Sequence, residues 1–185
     1  MTRLLLVRHA EPAATWGDRD DPGLSARGAR QADELAATLT RAAVRSPSTV
    51  VSSPLTRARE TAGPLAARLA CAVRVEPRVG EIPTPAAAAA TRTAWLRAVL
   101  GQRWSTLDAA ARAWRQGVLD ALAEVGNAVV VTHFVAINVA VGAARGDDRV
   151  RCCSPAHTAV TELTVDDGGL TLVTLGAEMP VAAAR

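Results

Sequence analysis

Lysine and tyrosine are absent from the 185-residue sequence. All 21 Lys+Arg charges are therefore arginine, and the pI of about 9.3 reflects arginine alone. The formal net charge is only +3. The arginines are interspersed with acids, which excludes a nucleic-acid-binding patch and suits small anionic substrates better. Cysteine is scarce: there are three, and Cys152 and Cys153 are adjacent. An odd count with a vicinal pair makes a poor disulfide framework and points to a reducing compartment. Nothing has the four-ligand spacing of a zinc site. Long hydrophobic runs are missing too. The stretch from Phe134 to Ala144 is too short to span a membrane. The N-terminal apolar run is too short for a signal peptide and leads into Arg8-His9-Ala10-Glu11 rather than a cleavage site. These absences predict a cytoplasmic protein that meets neither membrane nor nucleic acid.

What is present is ordinary for a folded chain: 49% hydrophobic and 21% charged residues, without repeats or disordered linkers. One domain over residues 1–185 is expected, with a full core. Apolar runs predict strands over 3–8, 49–53, 72–75 and 128–132, with a hairpin of 159–165 and 170–175 around Asp166-Asp167-Gly168-Gly169. Helical spacing predicts helices from Ser25, as cap, to about Arg45; from Pro54 to about Ala70, interrupted or kinked at Gly63-Pro64; over about 106–125; and over about 134–144. The Ala-rich stretch of about 86–100 is helix-favouring. Strands alternating with helices predict a three-layer α/β/α sandwich with a mainly parallel sheet, and the hairpin an antiparallel edge. The segment of about 82–115 has no strand partner and reads as a small helical cap insertion.

Leu4-Leu5-Leu6-Val7-Arg8-His9-Ala10-Glu11 organises this chain: a buried strand that ends abruptly in a cation and an imidazole. Arg57 follows the second strand at a helix start, and His133 ends the fourth. In a parallel sheet all three fall on the carboxyl rim, where ligands bind. Helix N-termini there offer free N–H groups to phosphate, and arginine grips phosphate oxygens bidentately.

Together these residues carry a resemblance. Arg8-His9-Ala10-Glu11, then Ser52-Ser53-Pro54-Leu55-Thr56-Arg57-Ala58-Arg59-Glu60-Thr61, then Val131-Thr132-His133 resemble, in order and spacing, the histidine phosphatase superfamily with its phosphoglycerate-mutase-like fold. Leu24-Ser25-Ala26-Arg27-Gly28-Ala29-Arg30-Gln31-Ala32 resembles that family's first helix. The resemblance implies that His9 is the phosphate-accepting nucleophile. It implies that Arg8, Arg57 and His133 hold the phosphoryl oxygens, and that a carboxylate after the third strand protonates the leaving oxygen. Glu81 matches that carboxylate, with Glu76 its neighbour.

Two positions depart from the family pattern: Ala10 stands where glycine is usual, and Thr15 stands nearest to a frequent asparagine. Thr15 and His157, which precedes the hairpin, are the further candidate substrate-binding residues. The mutases of the family typically use tyrosine and lysine for a second acidic group, so their absence favours a phosphatase. The expected activity is hydrolysis of a small phosphomonoester without metal or cofactor. The alternatives are a phosphoprotein or phosphohistidine phosphatase, a phosphoglycerate-type mutase, and a non-catalytic phosphate-binding module.

Overall fold

A computed structural model describes residues 1–14, 21–41 and 49–180. Thr15 and the expected end of the first helix near Arg45 lie outside the described residues. The strands are β1 (Thr2–Arg8), β2 (Thr49–Ser52), β3 (Val73–Val75), β4 (Ala128–Thr132), β5 (Val160–Asp166) and β6 (Gly169–Thr174). The helices are α1 (Ala26–Arg41), α2 (Thr56–Arg68), α3 (Arg92–Leu100), α4 (Ala109–Glu124) and α5 (Phe134–Arg145).

The six strands form one sheet in the order β3-β2-β4-β1-β5-β6. β3, β2, β4 and β1 run parallel, while β5 and β6 close one side antiparallel. Alternation along the strands explains the three layers. Leu4, Leu6, Val51 and Val130 pack into one core with Val118 and Leu122 of α4 and Ile137 and Val141 of α5. Leu5, Val7, Val50, Val129 and Val131 face the other way, onto Leu35 and Leu39 of α1 and Ala62 and Leu65 of α2. A sheet covered on both faces needs apolar side chains on both, which is why β1 and β4 read as continuous hydrophobic runs.

Helix boundaries differ from the sequence reading in three places. α2 begins at Thr56 rather than Pro54, because Ser53 Oγ accepts from Leu55 N–H (3.2 Å) and holds Leu55 extended as the cap. It then runs unbroken through Gly63-Pro64 to Arg68, with Ala62, Leu65 and Ala66 buried. Burial on that face outweighs the one backbone hydrogen bond that proline removes. α4 begins at Ala109 because Asp108 accepts from Ala111 N–H (2.8 Å) as its cap. The Ala-rich stretch divides into a 3-10 turn over Ala86–Thr91 and α3.

The parallel register settles where the site forms. Arg8 pairs with Thr132, and Ser52 with Val131. His9, Ser53 and His133, the next residue on each strand, therefore emerge side by side on one rim.

Candidate active site

His9 is buried, and its backbone is fixed first. His9 N–H donates to the Thr132 carbonyl (3.0 Å), extending the ladder one residue past β1. Its ring Nδ1 lies 2.8 Å from the Ala10 carbonyl oxygen. A carbonyl only accepts, so Nδ1 carries the proton and Nε2 presents a lone pair. Arg57 Nε donates to that lone pair (3.2 Å).

Arg57 comes from the first turn of α2 and is also buried. Its Nη2 lies 3.3 Å from His133 Nδ1, which must accept. His133 Nε2 then carries the proton and donates to Ser53 Oγ (2.7 Å). One arginine thus fixes the tautomers of two imidazoles whose centroids stand 5.1 Å apart. Burial first, then the Arg57 charge, hold His9 well below the ordinary imidazole range. Burial, His9, Arg57 and Arg8 do the same to His133. Both rings are neutral at pH 7.

Arg8 leaves the carboxyl end of β1 and is held by the loop that precedes β5. Its Nη1 donates to the Pro155 carbonyl (2.8 Å), and its guanidinium lies over the Phe134 ring, 5.3 Å from the centroid. Burial lowers its pKa to about 10, against the pull of Glu81, which leaves it charged at pH 7.

Glu81 reaches the same space from the loop after β3. The 3-10 turn Pro77–Val79 ahead of it is tied to the end of β4 by Thr132 Oγ1 donating to the Val79 carbonyl (2.6 Å). The carboxylate accepts from Ile82 N–H (3.0 Å), and the first turn of α5 brings Val135 N–H close enough to favour its charged form. Burial nevertheless raises its pKa, against those N–H groups and the charges of Arg57 and Arg8. Glu76 is elsewhere: Arg78 pairs with its carboxylate (2.9 Å) and holds it below the usual range.

These groups line a cavity of about 690 Å³. Arg8, His9, Arg57, Glu81 and His157 all face it, and Arg92, Leu96 and Leu100 of α3 form part of its wall. A cavity of this size has room for a small organic molecule as well as a phosphate group. Among the described residues no cluster of three or more His, Cys, Asp or Glu is arranged to hold a metal ion. No helix among them is long and apolar enough to cross a membrane.

The model of the histidine phosphatase superfamily (branch 1) matches residues 4–178. The chain belongs to that superfamily. Solved structures share the superfamily fold. A putative α-ribazole-5′-phosphate phosphatase from Escherichia coli aligns with a TM-score of 0.74 at 22% identity, over 96% of this chain and 98% of that one. A mutant phosphoserine phosphatase from Entamoeba histolytica, in complex with phosphoserine, aligns at 0.72 and 20% identity over 96% and 98%. A mycobacterial glucosyl-3-phosphoglycerate phosphatase aligns at 0.70 and 22% over 96% and 100%. At these identities the likeness establishes the fold. No curated protein matches the sequence significantly.

The site of this superfamily member also contains residues that sequence reasoning gave no role. Asp21 accepts from Thr56 N–H and Oγ1 (2.9 and 2.7 Å) at the start of α2, and lies 3.7 Å from Arg57. Thr61 Oγ1 donates to the Arg57 carbonyl (2.7 Å) and accepts from Ala10 N–H (2.9 Å). Asn138, wholly buried, accepts from both Cys152 and Cys153 N–H (2.8 and 2.9 Å) and so fixes the loop that presents the Pro155 carbonyl to Arg8. An Asn within an otherwise apolar helix was the available signal for the last. The partnerships of Asp21 and Thr61 are visible only in space.

Proposed function

We propose that the protein is a phosphomonoesterase that works through a phosphohistidine on His9, without a metal. The observation that carries this reading is the tautomer of His9: Nδ1 is committed to the Ala10 carbonyl, which leaves Nε2 as a neutral nucleophile on the cavity. In the first half-reaction Nε2 attacks phosphorus as the ester P–O bond breaks. Glu81, its carboxyl protonated, gives its proton to the departing oxygen. Arg57 hydrogen-bonds Nε2 in the free protein, and that donor transfers to a phosphoryl oxygen when substrate arrives. Arg8 and Arg57 hold the oxygens while charge spreads over them, and His133 joins them by turning its Nε2–H from Ser53 to a phosphoryl oxygen. In the second half, the Glu81 carboxylate takes a proton from water, the water oxygen attacks phosphorus and the P–N bond breaks. Inorganic phosphate leaves and His9 is again neutral.

A small phosphorylated metabolite is the substrate class this reading favours. The segment of 82–115 serves as a partial lid on a single domain, since three α3 side chains already line the cavity. The structural relatives point the same way: their names specify phosphoserine, glucosyl-3-phosphoglycerate and α-ribazole-5′-phosphate as what those proteins bind or hydrolyse.

The direct test is hydrolysis of para-nitrophenyl phosphate in excess EDTA. Turnover that persists in chelator is expected. Turnover that vanishes with EDTA and returns on adding a divalent metal contradicts the metal-free mechanism, and no turnover under any condition contradicts the enzymatic reading.

A further inference from the structure

His157 is the third of the chain's three histidines, and the mechanism above does not use it. Its ring stands 5.5 Å from that of His9, centroid to centroid, and lines the same cavity. Nδ1 lies 3.0 Å from the His9 carbonyl oxygen. That oxygen can only accept, so Nδ1 holds the proton and Nε2 is a bare acceptor in the neutral ring. Among the described residues Nε2 has no hydrogen-bond partner.

The backbone beside it is unusual. Thr158 adopts φ 58°, a left-handed conformation that a β-branched residue rarely takes. It is held there by Thr158 N–H donating to the Arg8 carbonyl (3.0 Å) and by its hydroxyl donating to the His157 carbonyl (2.7 Å). Strain of this kind persists where the surroundings fix it, and it gathers at functional sites. Here it follows directly on His157, whose ring is held beside the nucleophile by its own bond to the His9 carbonyl.

A lone pair facing a phosphate pocket repels a dianion, whereas a protonated Nε2 donates to it. We propose that His157 is a conditional phosphate ligand: unprotonated in the free protein, it takes a proton from solvent as an anion docks against His9, and then donates that N–H to one of the anion's oxygens. This rests on the site reading given above but not on turnover. The charged groups that face His157 are Arg8 from β1, Glu11 from the following loop and Arg27 from α1, with His9 alongside. In the free protein burial and Arg8 keep the ring neutral, opposed by its hydrogen bond to His9 and by Glu11. A docked dianion offsets the Arg8 charge and reverses the balance.

Sulfate is the probe, because it carries two negative charges throughout the pH range and does not itself titrate. Its affinity is measured by calorimetry from about pH 8 to about pH 6, around the ordinary imidazole pKa. The wild type is compared with His157→Asn, whose side-chain amide keeps a donor for the His9 carbonyl but cannot take up a proton. In the window between the free and bound pKa values, linkage makes affinity rise about tenfold per pH unit for one coupled proton. The wild type is expected to tighten with falling pH by about that factor more than His157→Asn. Equal slopes overturn the proposal and assign any proton uptake to His9 or Glu81.

Imidazole nitrogen NMR of the wild type gives a second reading that needs no variant. With sulfate the ring whose Nδ1 bonds the His9 carbonyl should become doubly protonated, while a proton appearing on His9 or His133 instead overturns the idea. A wild type that turns over para-nitrophenyl phosphate yet shows no His157-dependent uptake sinks this inference alone. Uptake without any turnover sinks the phosphatase reading and leaves this one standing.

Discussion

Protons decide the behaviour of this site residue by residue. Arg57 cannot give up its proton, so each ring nitrogen it touches must be an acceptor. His9 and His133 are thereby made neutral with opposite tautomers, one whose Nε2 lone pair meets Arg57 and one with Nε2–H bound to Ser53. Glu81 meets the opposite pressure: burial favours its protonated form even with two guanidiniums nearby. A carboxyl whose pKa burial raises is better suited to give up a proton as a general acid than an ordinary carboxylate. Glu81→Gln should therefore cost kcat for alkyl phosphates by about 100-fold or more, as loss of general acid catalysis does. It should cost much less for para-nitrophenyl phosphate, whose leaving group needs no proton. Equal losses on both substrates would remove Glu81 from that role, and the same pair of assays on Glu76→Gln should show little change on either. Arg8, His9, Arg57 and His133 were legible in the sequence only as a set: one His at a strand end is usually structural, but two strand ends and a helix start in this order and spacing have few bland explanations. Thr61 and Asn138 were silent, since a Thr or Asn in a helix is common and only its partner across the fold gives it meaning.

At the scale of elements, the site depends on how loops are tied to helix starts. Ser25 Oγ accepts from Gly28 N–H (2.9 Å) as the cap of α1 and donates to Glu11 (2.8 Å) on the loop that follows His9. Gly28 lets that loop lie against the helix: a Cβ there would collide with the Glu11 carbonyl oxygen. Gly28→Ala should destabilise the protein by roughly 1–3 kcal/mol, the usual cost of overpacking. Helix propensity alone would predict a gain of up to about 1 kcal/mol. Chemical denaturation separates the two signs directly. The Ser25 cap was legible from the sequence. The requirement for glycine was not, because it arises from a contact between segments 17 residues apart. The start of α2 was misread for a related reason: Pro54 is compatible with a first turn, but Ser53 and Asp21 place that turn two residues later.

The whole molecule carries the consequence of burying neutral imidazoles. His9 and His133 have pKa values well below 6.5 in the folded chain, whereas the unfolded chain titrates near the ordinary value. Below about pH 6.5 the unfolded state binds protons that the native state refuses, so stability falls as pH falls. The loss should approach roughly 1.4 kcal/mol per pH unit for each of these two rings, partly offset at lower pH by Glu81, whose raised pKa acts in the other sense. Urea midpoints measured down to about pH 5.5 test this, and His9→Ala should flatten the slope. At this scale the sequence was most informative: alternating strands and helices dictate a parallel sheet between two helical layers, and the sheet's direction brings three distant strand ends to one rim. The order of the strands was not legible, because β1, β2 and β4 are similar valine- and leucine-rich runs and their neighbours follow from packing. In the proposed cycle His9 carries the phosphoryl group between the two half-reactions. Intact-protein mass spectrometry after rapid acid-free quenching of a phosphomonoester reaction should show one added phosphoryl group, labile to acid and mapped to His9, and absent in His9→Ala. A phosphoryl group found on another residue, or rapid wild-type turnover of substrate by His9→Ala, would contradict the account.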